Sequence, residues 1–137
     1  MGGIGLSVIR IQGLKSLRGE MKIQGSKNAV LPVMAAALLH EGMIVIKNIP
    51  RIQDVFCMIE ILEALGCQCQ LEGHELVIDT RGLCRSQVPD GAGGRMRSSI
   101  MLLGPLLGRL RQAETCYPGG CVIGRRPIDL HLAALRQ

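Results

Sequence analysis

The feature that most constrains the fold of this chain is an internal repeat of roughly 75 residues. Pro32 and Pro105 each lie inside an apolar segment, and Asp54 and Asp129 each precede a helical pattern, at nearly the same offset. The order helix, strand, helix, hairpin in the first unit therefore begins again in the second. A repeat of this length indicates consecutive mixed α/β units that share one core.

Apolar periodicity and turn residues predict the elements of each unit. Segments 27–40 and 98–109 are apolar nearly all round, which is typical of helices buried on every side. Asp54 and Asp129 are good N-caps for the second helix of each unit, and Gly66 stops the first of these two helices. Strands are predicted over 8–12, 19–24, 43–49, 67–71, 75–79 and 113–117, a hairpin turn over 72–74, and a loosened glycine-rich linker over 89–94.

Basic charge is concentrated in one region of a chain whose formal net charge is +5. Six arginines but only one acid lie between Arg95 and Arg126. This region favours an anionic partner such as phosphate, carboxylate or nucleic acid, although a solvated basic face explains the charge equally well. Phe56 and Tyr117 are the only aromatic residues, so a base-stacking nucleic-acid surface is not expected.

The sequence also bears on compartment and metal binding. No segment reaches the roughly 18 apolar residues that a membrane span needs, and the N-terminus lacks the basic start and apolar core of a signal peptide. We therefore expect a cytoplasmic protein, not bound to membranes, whose six cysteines are thiols. Cys67 and Cys69 lack a second ligand pair at zinc spacing, so packing is the preferred interpretation and no metal site is expected.

Cys121 lies in a segment rich in glycine and arginine, residues 117–131. The neighbouring glycines let the backbone approach a ligand closely, and Arg125 and Arg126 favour the thiolate form of a nearby cysteine. An inert, packed cysteine is the usual alternative. On the residues alone, the reactive and the inert interpretation of Cys121 are about equally good.

A second candidate anion site is Gly25-Ser26-Lys27-Asn28, where a predicted strand meets the start of a helix. Backbone N–H groups at a helix N-terminus, with a lysine beside them, suit a phosphate or a carboxylate. Lys27 alone is weak evidence, because solvated lysines are common. Arg97, however, opens the equivalent helix of the second unit, so the two units place a cation at matching positions.

Five motifs resemble the UDP-N-acetylglucosamine enolpyruvyl transferase family, in that family's order, from about residue 9 to the end. The cysteine motif is highly specific, and the related enzyme that makes enolpyruvylshikimate phosphate resembles this chain only around Gly-Ser-Lys. The motifs are Gly-Ser-Lys27-Asn28-Ala, Arg-Met-Arg97-Ser-Ser-Ile, Leu-Gly104-Pro105-Leu-Leu, Pro-Gly-Gly-Cys121, and Arg126-Pro127-Ile128-Asp129-Leu130-His131.

The resemblance implies the enolpyruvyl transferase fold, an inside-out α/β barrel of two domains built from repeated βαβαββ units. Residues 1–24 would belong to the second domain, 25–94 to the first unit, and 95–137 to an incomplete second unit. The implied reaction transfers the enolpyruvyl group of phosphoenolpyruvate to the 3-hydroxyl of UDP-N-acetylglucosamine with release of phosphate. It opens peptidoglycan synthesis, on which the cell wall, cell shape and cell division depend, and it requires no metal or organic cofactor.

The resemblance also implies roles for individual residues. Cys121 would be the catalytic proton donor to the methylene carbon of phosphoenolpyruvate and the thiol that fosfomycin alkylates. Phosphoenolpyruvate would be bound by Lys27, Asn28 and Arg126. UDP-N-acetylglucosamine would be bound by Arg97, Arg126, Pro127, Ile128, Asp129, Leu130 and His131.

Members of this family are several-fold longer than this chain, and their catalytic aspartate lies outside the matched region. We therefore expect a fragment that is inactive alone and whose exposed apolar helices favour self-association. Two alternatives remain. One is a non-catalytic module that binds a UDP-sugar or another anion, and the other is the shikimate-pathway enzyme, against which Cys121 and its glycines argue.

Overall fold

The computed structural model describes residues 10–13, 16, 18–117 and 127–136. Helix α1 (Lys27–Ala36) runs into a 3-10 turn (Ala37–Leu39). Strand β1 (Met43–Lys47), helix α2 (Gln53–Ala64) and the strands β2 (Gln68–Glu72) and β3 (Glu75–Asp79) follow. The short helix α3 (Asp90–Gly93), a second 3-10 turn (Arg97–Leu102) that continues into α4 (Leu103–Leu110), and α5 (Asp129–Leu135) complete the described chain.

The three strands form an antiparallel sheet in the order β1-β3-β2. The predicted hairpin is confirmed, with Gly73 in the left-handed region (φ +56°) at the turn between β2 and β3. Side chains alternate between the two faces of the sheet. Leu76 and Ile78 of the central strand are fully buried on one face, while Met43 and Val45 of β1 are exposed on the other.

The core lies between the buried face of the sheet and the helices. Helix α2 contacts β2 and α1, and α1 in turn contacts the second 3-10 turn. Gly66 ends α2 as predicted, with φ +108° just beyond the helix, a conformation that favours glycine. The largest fully buried side chains are aliphatic or Met: Leu31, Met34, Leu38, Ile49, Met58, Ile61, Leu62, Leu65, Leu76, Ile78, Leu102 and Leu106.

The predicted N-caps are wrong by one or two residues. Ile52 and Ile128 occupy the cap positions, and neither makes a side-chain cap bond. Asp54 and Asp129 lie inside the first turns of α2 and α5, where a carboxylate is still favoured by the helix dipole. Their carboxylates have other partners, because Asp54 pairs with Lys27 and Asp129 accepts a hydrogen bond from Tyr117.

The two apolar helices are not buried on every side, which corrects the expectation for segments 27–40 and 98–109. Val33 of α1 is 48% exposed, and Met101 of the second 3-10 turn is 42% exposed. Ala29 and Ala36 are exposed on the same side of α1 as Val33, one turn away on either side. One apolar face of α1 therefore has no cover within the described ranges.

Two predicted strands are absent from the described residues. Segment 19–24 forms no strand, because a strand requires a hydrogen-bonded neighbour and no segment in the described part of the chain pairs with it. Segment 113–117 makes a single parallel bridge, between Gln87 and Glu114, which is too short for a strand. The strand predicted over 8–12 lies partly outside the described residues.

The segment 89–94, predicted as a loosened linker, is instead packed. It forms helix α3, in which Ala92 is 4% exposed and accepts a hydrogen bond from the Cys57 thiol (3.4 Å). A Cβ atom at position 93 would lie 2.9 Å from Val88 Cγ1 and 3.1 Å from Cys116 Sγ. The absence of a side chain at Gly93 thus permits close packing of α3. No helix in the described ranges is long and apolar enough to cross a membrane.

Candidate functional site

The start of α1 forms the first part of the candidate site. Ser26 is extended (φ −81°, ψ 134°), and its carbonyl oxygen accepts hydrogen bonds from the N–H groups of Ala29 (3.2 Å) and Val30 (3.0 Å). The helix therefore begins at Lys27, as the sequence predicts. The first N–H groups of a helix have no acceptor within it, so they can bind an anion beside Lys27 and Asn28, which are both exposed.

Close backbone packing fixes the entry into this helix at Gly25. A Cβ atom at position 25 would overlap the carbonyl oxygen of Asn48 and lie 3.2 Å from Pro50 Cδ. The segment that follows β1 therefore lies directly against the chain that enters α1. Only glycine fits at this point without a shift of one of the two backbones.

Lys27 forms an ion pair with Asp54 through its Nζ atom and the carboxylate Oδ2 atom. Because Lys27 is the first residue of α1 and Asp54 lies in the first turn of α2, this contact brings the N-terminal ends of two packed helices together. The Lys27 side chain is 55% exposed and that of Asp54 is 26% exposed. The ammonium group carries three donors, so it can bind an anion while it retains Asp54.

Arg97 opens the second 3-10 turn, as Lys27 opens α1, and the two elements pack against each other. Arg97 is exposed, and none of the described residues accepts a hydrogen bond from its guanidinium group. The matching cations of the two units therefore both lie at exposed helix starts. No hydrogen bond or ion pair between described residues joins Arg97 to Lys27 or Asn28.

The last predicted segment of the site runs through the start of α5. Ile128 is buried (7% exposed), whereas Leu130 is 85% exposed, and Pro127, Asp129 and His131 are exposed as well. The Tyr117 hydroxyl donates to Asp129 Oδ1 (3.3 Å). This contact joins the chain before the cysteine motif to the chain after it. Cys121 and Arg126 lie outside the described residues.

Part of the basic region between Arg95 and Arg126 makes contacts within the fold instead of forming a surface for ligands. Arg95 donates to Glu60 (2.6 Å) and to the Gly91 carbonyl (3.0 Å), which fastens α3 to α2. Arg109 donates to the carbonyl oxygens of Leu38 (3.0 Å) and His40 (2.7 Å). The charge excess predicted to attract an anion therefore includes two arginines that act within the fold.

The described cysteines are thiols, and the buried ones are poor nucleophiles. Burial raises the pKa of Cys67 to about 11 and that of Cys69 to about 12, so both are protonated at neutral pH. Burial also raises the pKa of Cys57. No group of three or more potential metal ligands occurs within the described ranges. A groove of about 450 Å³ between α2 and α3, lined by residues that include Glu60 and Arg95, contains none of the candidate site residues.

Asp54 is the residue beside the candidate site that the sequence did not reveal. Its position before an apolar helical pattern identified it only as a helix cap. The internal repeat does not help to identify this ion pair, because the second unit does not repeat it. The matching residue, Asp129, accepts a hydrogen bond from Tyr117 and contacts no lysine among the described residues. Only the packing of α1 on α2 places the Asp54 carboxylate beside Lys27.

Comparison with known proteins gives consistent results. Residues 11–137 match the family model described as EPSP synthase (3-phosphoshikimate 1-carboxyvinyltransferase). The chain is 48% identical over 128 residues to UDP-N-acetylglucosamine 1-carboxyvinyltransferase 2 of Caldanaerobacter subterraneus subsp. tengcongensis, a match that covers 93% of the chain and 31% of that protein. It is 45% identical over 127 residues to UDP-N-acetylglucosamine 1-carboxyvinyltransferase of Thermotoga maritima, with 93% and 30% covered.

The fold is similar to that of a solved enzyme. The crystal structure of the enolpyruvyl transferase NikO from Streptomyces tendae superimposes with a TM-score of 0.62 at 27% identity, over 66% of this chain and 21% of that one. The chain spans 31% and 30% of the length of the two curated relatives named above.

Proposed function

This chain belongs to the EPSP synthase family of carboxyvinyltransferases, and we propose that it contributes to a UDP-N-acetylglucosamine 1-carboxyvinyltransferase. The enzyme would transfer the enolpyruvyl group of phosphoenolpyruvate to the 3-hydroxyl of UDP-N-acetylglucosamine and release phosphate. The exposed start of α1 is the observation that carries the proposal, since Lys27 and Asn28 there adjoin helix N–H groups that have no acceptor in the described part of the chain. The names of relatives 42–48% identical to the chain support the choice of sugar acceptor over shikimate phosphate.

Each group in this scheme has a chemical task. Lys27, Asn28 and Arg126 hold the phosphate and carboxylate of phosphoenolpyruvate, and Arg97 with residues 126–131 holds the UDP-sugar. The sugar hydroxyl gives its proton to the family's catalytic aspartate, outside the matched region, as its oxygen bonds to the substituted carbon of the double bond, and Cys121 delivers a proton to the methylene carbon. Phosphate then leaves, the new methyl group returns one proton to the Cys121 thiolate, and the double bond is restored. Fixed cations stabilise the phosphate oxygens throughout both steps.

We place this reaction in the cytoplasm, as the first committed step of peptidoglycan synthesis and therefore of cell-wall growth and cell division. The Cys121 thiol would also be the group that the epoxide fosfomycin alkylates. No residue assigned here calls for a metal or organic cofactor.

The test is phosphate release from phosphoenolpyruvate with and without UDP-N-acetylglucosamine. Two proteins are assayed, the 137-residue chain itself and a chimera in which this chain replaces the matching segment of a curated relative. We expect no release by the chain alone, since it spans 31% of that relative. We expect sugar-dependent release by the chimera, and its loss in the chimera with Cys121→Ala.

Other outcomes would contradict the proposal in distinct ways. A folded chimera that binds UDP-N-acetylglucosamine without releasing phosphate would favour a non-catalytic UDP-sugar or anion-binding module. Release that depends on shikimate 3-phosphate instead of the UDP-sugar would assign the chain to the shikimate-pathway reaction. Activity of the 137-residue chain alone, abolished by Cys121→Ala, would show that no further segment is needed.

We also propose that the isolated chain self-associates through the exposed apolar residues of its helical segments. Val33, Leu39 and Met101 are all exposed, and apolar surface left in water drives association. Light scattering at micromolar concentrations should give a mass above the 14.8 kDa of one chain, and Val33→Lys should restore the single-chain mass. The control is Ile23→Lys, at an exposed apolar residue outside the helices. A monodisperse 14.8 kDa chain with a single cooperative melt would contradict this proposal.

A further inference from the structure

We propose that Asp54 is a positioning residue, which holds the Lys27 ammonium group in place at the start of α1 to receive the phosphate of phosphoenolpyruvate. The inference rests on the proposed function, because it refines how Lys27 binds its substrate. It adds a residue that the sequence motifs did not include.

The geometry gives Asp54 a fixed position from which to act. Its helix, α2, is anchored in the core through Val55 and Met58, which are fully buried. The backbone before it is also held, since the Val55 and Phe56 N–H groups donate to the Ile52 carbonyl oxygen (3.0 and 3.4 Å). The carboxylate of Asp54 is mostly buried, whereas the Lys27 side chain that it contacts is more than half exposed.

A lysine needs such an anchor to act as a precise phosphate ligand. Its ammonium group is a point charge on a flexible four-carbon stem, and immobilising that stem costs considerable rotamer entropy. When an ion pair restricts the side chain before the substrate arrives, less entropy is lost on binding. The three ammonium donors allow one to stay on Asp54 while the others face an anion.

A carboxylate beside the lysine also has an opposing effect. It lowers the local positive charge and so weakens the attraction of the site for a phosphate. The exposure of Lys27 decides between the two effects. Water screens the carboxylate charge at a half-exposed site, which reduces the electrostatic gain from its removal. An untethered lysine, in contrast, samples positions away from the helix start. We therefore expect removal of Asp54 to weaken substrate binding.

The test uses the active chimera and its steady-state kinetics. Asp54→Asn should raise KM for phosphoenolpyruvate about tenfold while kcat changes less than about threefold and KM for UDP-N-acetylglucosamine is unchanged. Asp54→Glu, which keeps a carboxylate, should restore most of the affinity. The matched control is Asp79→Asn, which removes the same charge from an ion pair with Arg81 at the end of β3. The Asp79 side chain is about as accessible as that of Asp54 (20% and 26% exposed), and this variant should leave all three constants unchanged.

A double-mutant cycle distinguishes positioning from an independent role. Lys27→Met should raise KM for phosphoenolpyruvate, and Asp54→Asn should have no further effect in that background, because Asp54 acts only through Lys27. An equal effect of Asp54→Asn with and without Lys27, or a lower KM in the single variant, would overturn the proposal.

Two further measurements distinguish loss of the Asp54 role from loss of folding and from failure of the proposed function. The melting temperature of each variant is measured, and Asp54→Ser, a smaller uncharged side chain, replaces Asp54→Asn if that variant does not fold. An inactive but folded parent chimera would refute the proposed function. An active parent whose Asp54 variants keep the parental KM would refute only the role of Asp54.

Discussion

Replacing Gly25 by alanine is expected to lower the free energy of unfolding by about 3 kcal/mol, the range of substitutions that force a backbone shift. The added Cβ atom would overlap the carbonyl oxygen of Asn48. Asn48 cannot easily move, because it holds a left-handed conformation (φ 60°) and the next residue, Ile49, is fully buried. Ile49 is also hydrogen-bonded to His74 through both its N–H and its carbonyl group (2.8 Å each).

Urea unfolding of the chain, followed by far-ultraviolet circular dichroism, measures this loss. The matched control is Gly19→Ala, because a Cβ atom at position 19 meets nothing within 4 Å. That variant should lie within about 0.5 kcal/mol of the parent. Equal urea midpoints for the two variants would contradict the prediction, because they would mean that the backbone at Asn48 shifts at little cost in free energy. In the active chimera, Gly25→Ala should also raise KM for phosphoenolpyruvate, because the close packing at Gly25 fixes the position at which α1 begins and therefore the position of Lys27.

Replacing Arg109 by methionine is expected to cost about 3 kcal/mol, because it removes hydrogen bonds from a charged group to three carbonyl oxygens, and that of Leu38 has no other donor among the described residues. The Arg109 side chain is only 14% exposed. It donates to the carbonyl oxygens of Leu38 (3.0 Å) and His40 (2.7 Å) beyond the C-terminal end of α1, and to that of Thr80 (3.3 Å) after β3. The residue therefore links α4, the end of α1 and the sheet.

The same unfolding measurement tests Arg109. Arg109→Lys should recover part of the loss, because lysine keeps the charge but lacks the planar donor fork. The control is Arg111→Met, at an exposed arginine from which no residue in the described ranges accepts a hydrogen bond. This variant should be nearly neutral. If Arg109→Met were as stable as the control, the hydrogen bonds of Arg109 would contribute little to stability, and the linking role would be wrong.

Short-range patterns predicted some elements well and others poorly. The hairpin of β2 and β3 follows from two segments in which apolar and polar residues alternate, joined by a turn that contains glycine. All of these signals lie within about a dozen residues of chain. The strand predicted at 19–24 depends on a partner elsewhere, and no described segment supplies one. The glycines before Arg95 are wrongly interpreted as a loosened linker, because Gly93 packs closely against Val88 and Cys116. Cys116 lies far along the chain, so local sequence does not reveal this contact.

The sequence by itself determined the family, the helix that begins at Lys27, and the residues proposed to bind substrate, because these depend on motifs and on local backbone preferences. Only the tertiary structure decided which charges face solvent and which act inside the fold. Arg97 and Arg109 look alike in the sequence, yet Arg97 is exposed at a helix start and Arg109 is bound to backbone carbonyls. Asp54 looked like a helix cap and is the partner of Lys27. The physical reason is that the role of a charged side chain depends on which groups packing places within hydrogen-bonding distance of it. Those groups lie tens of residues away along the chain, so local sequence patterns do not reveal them.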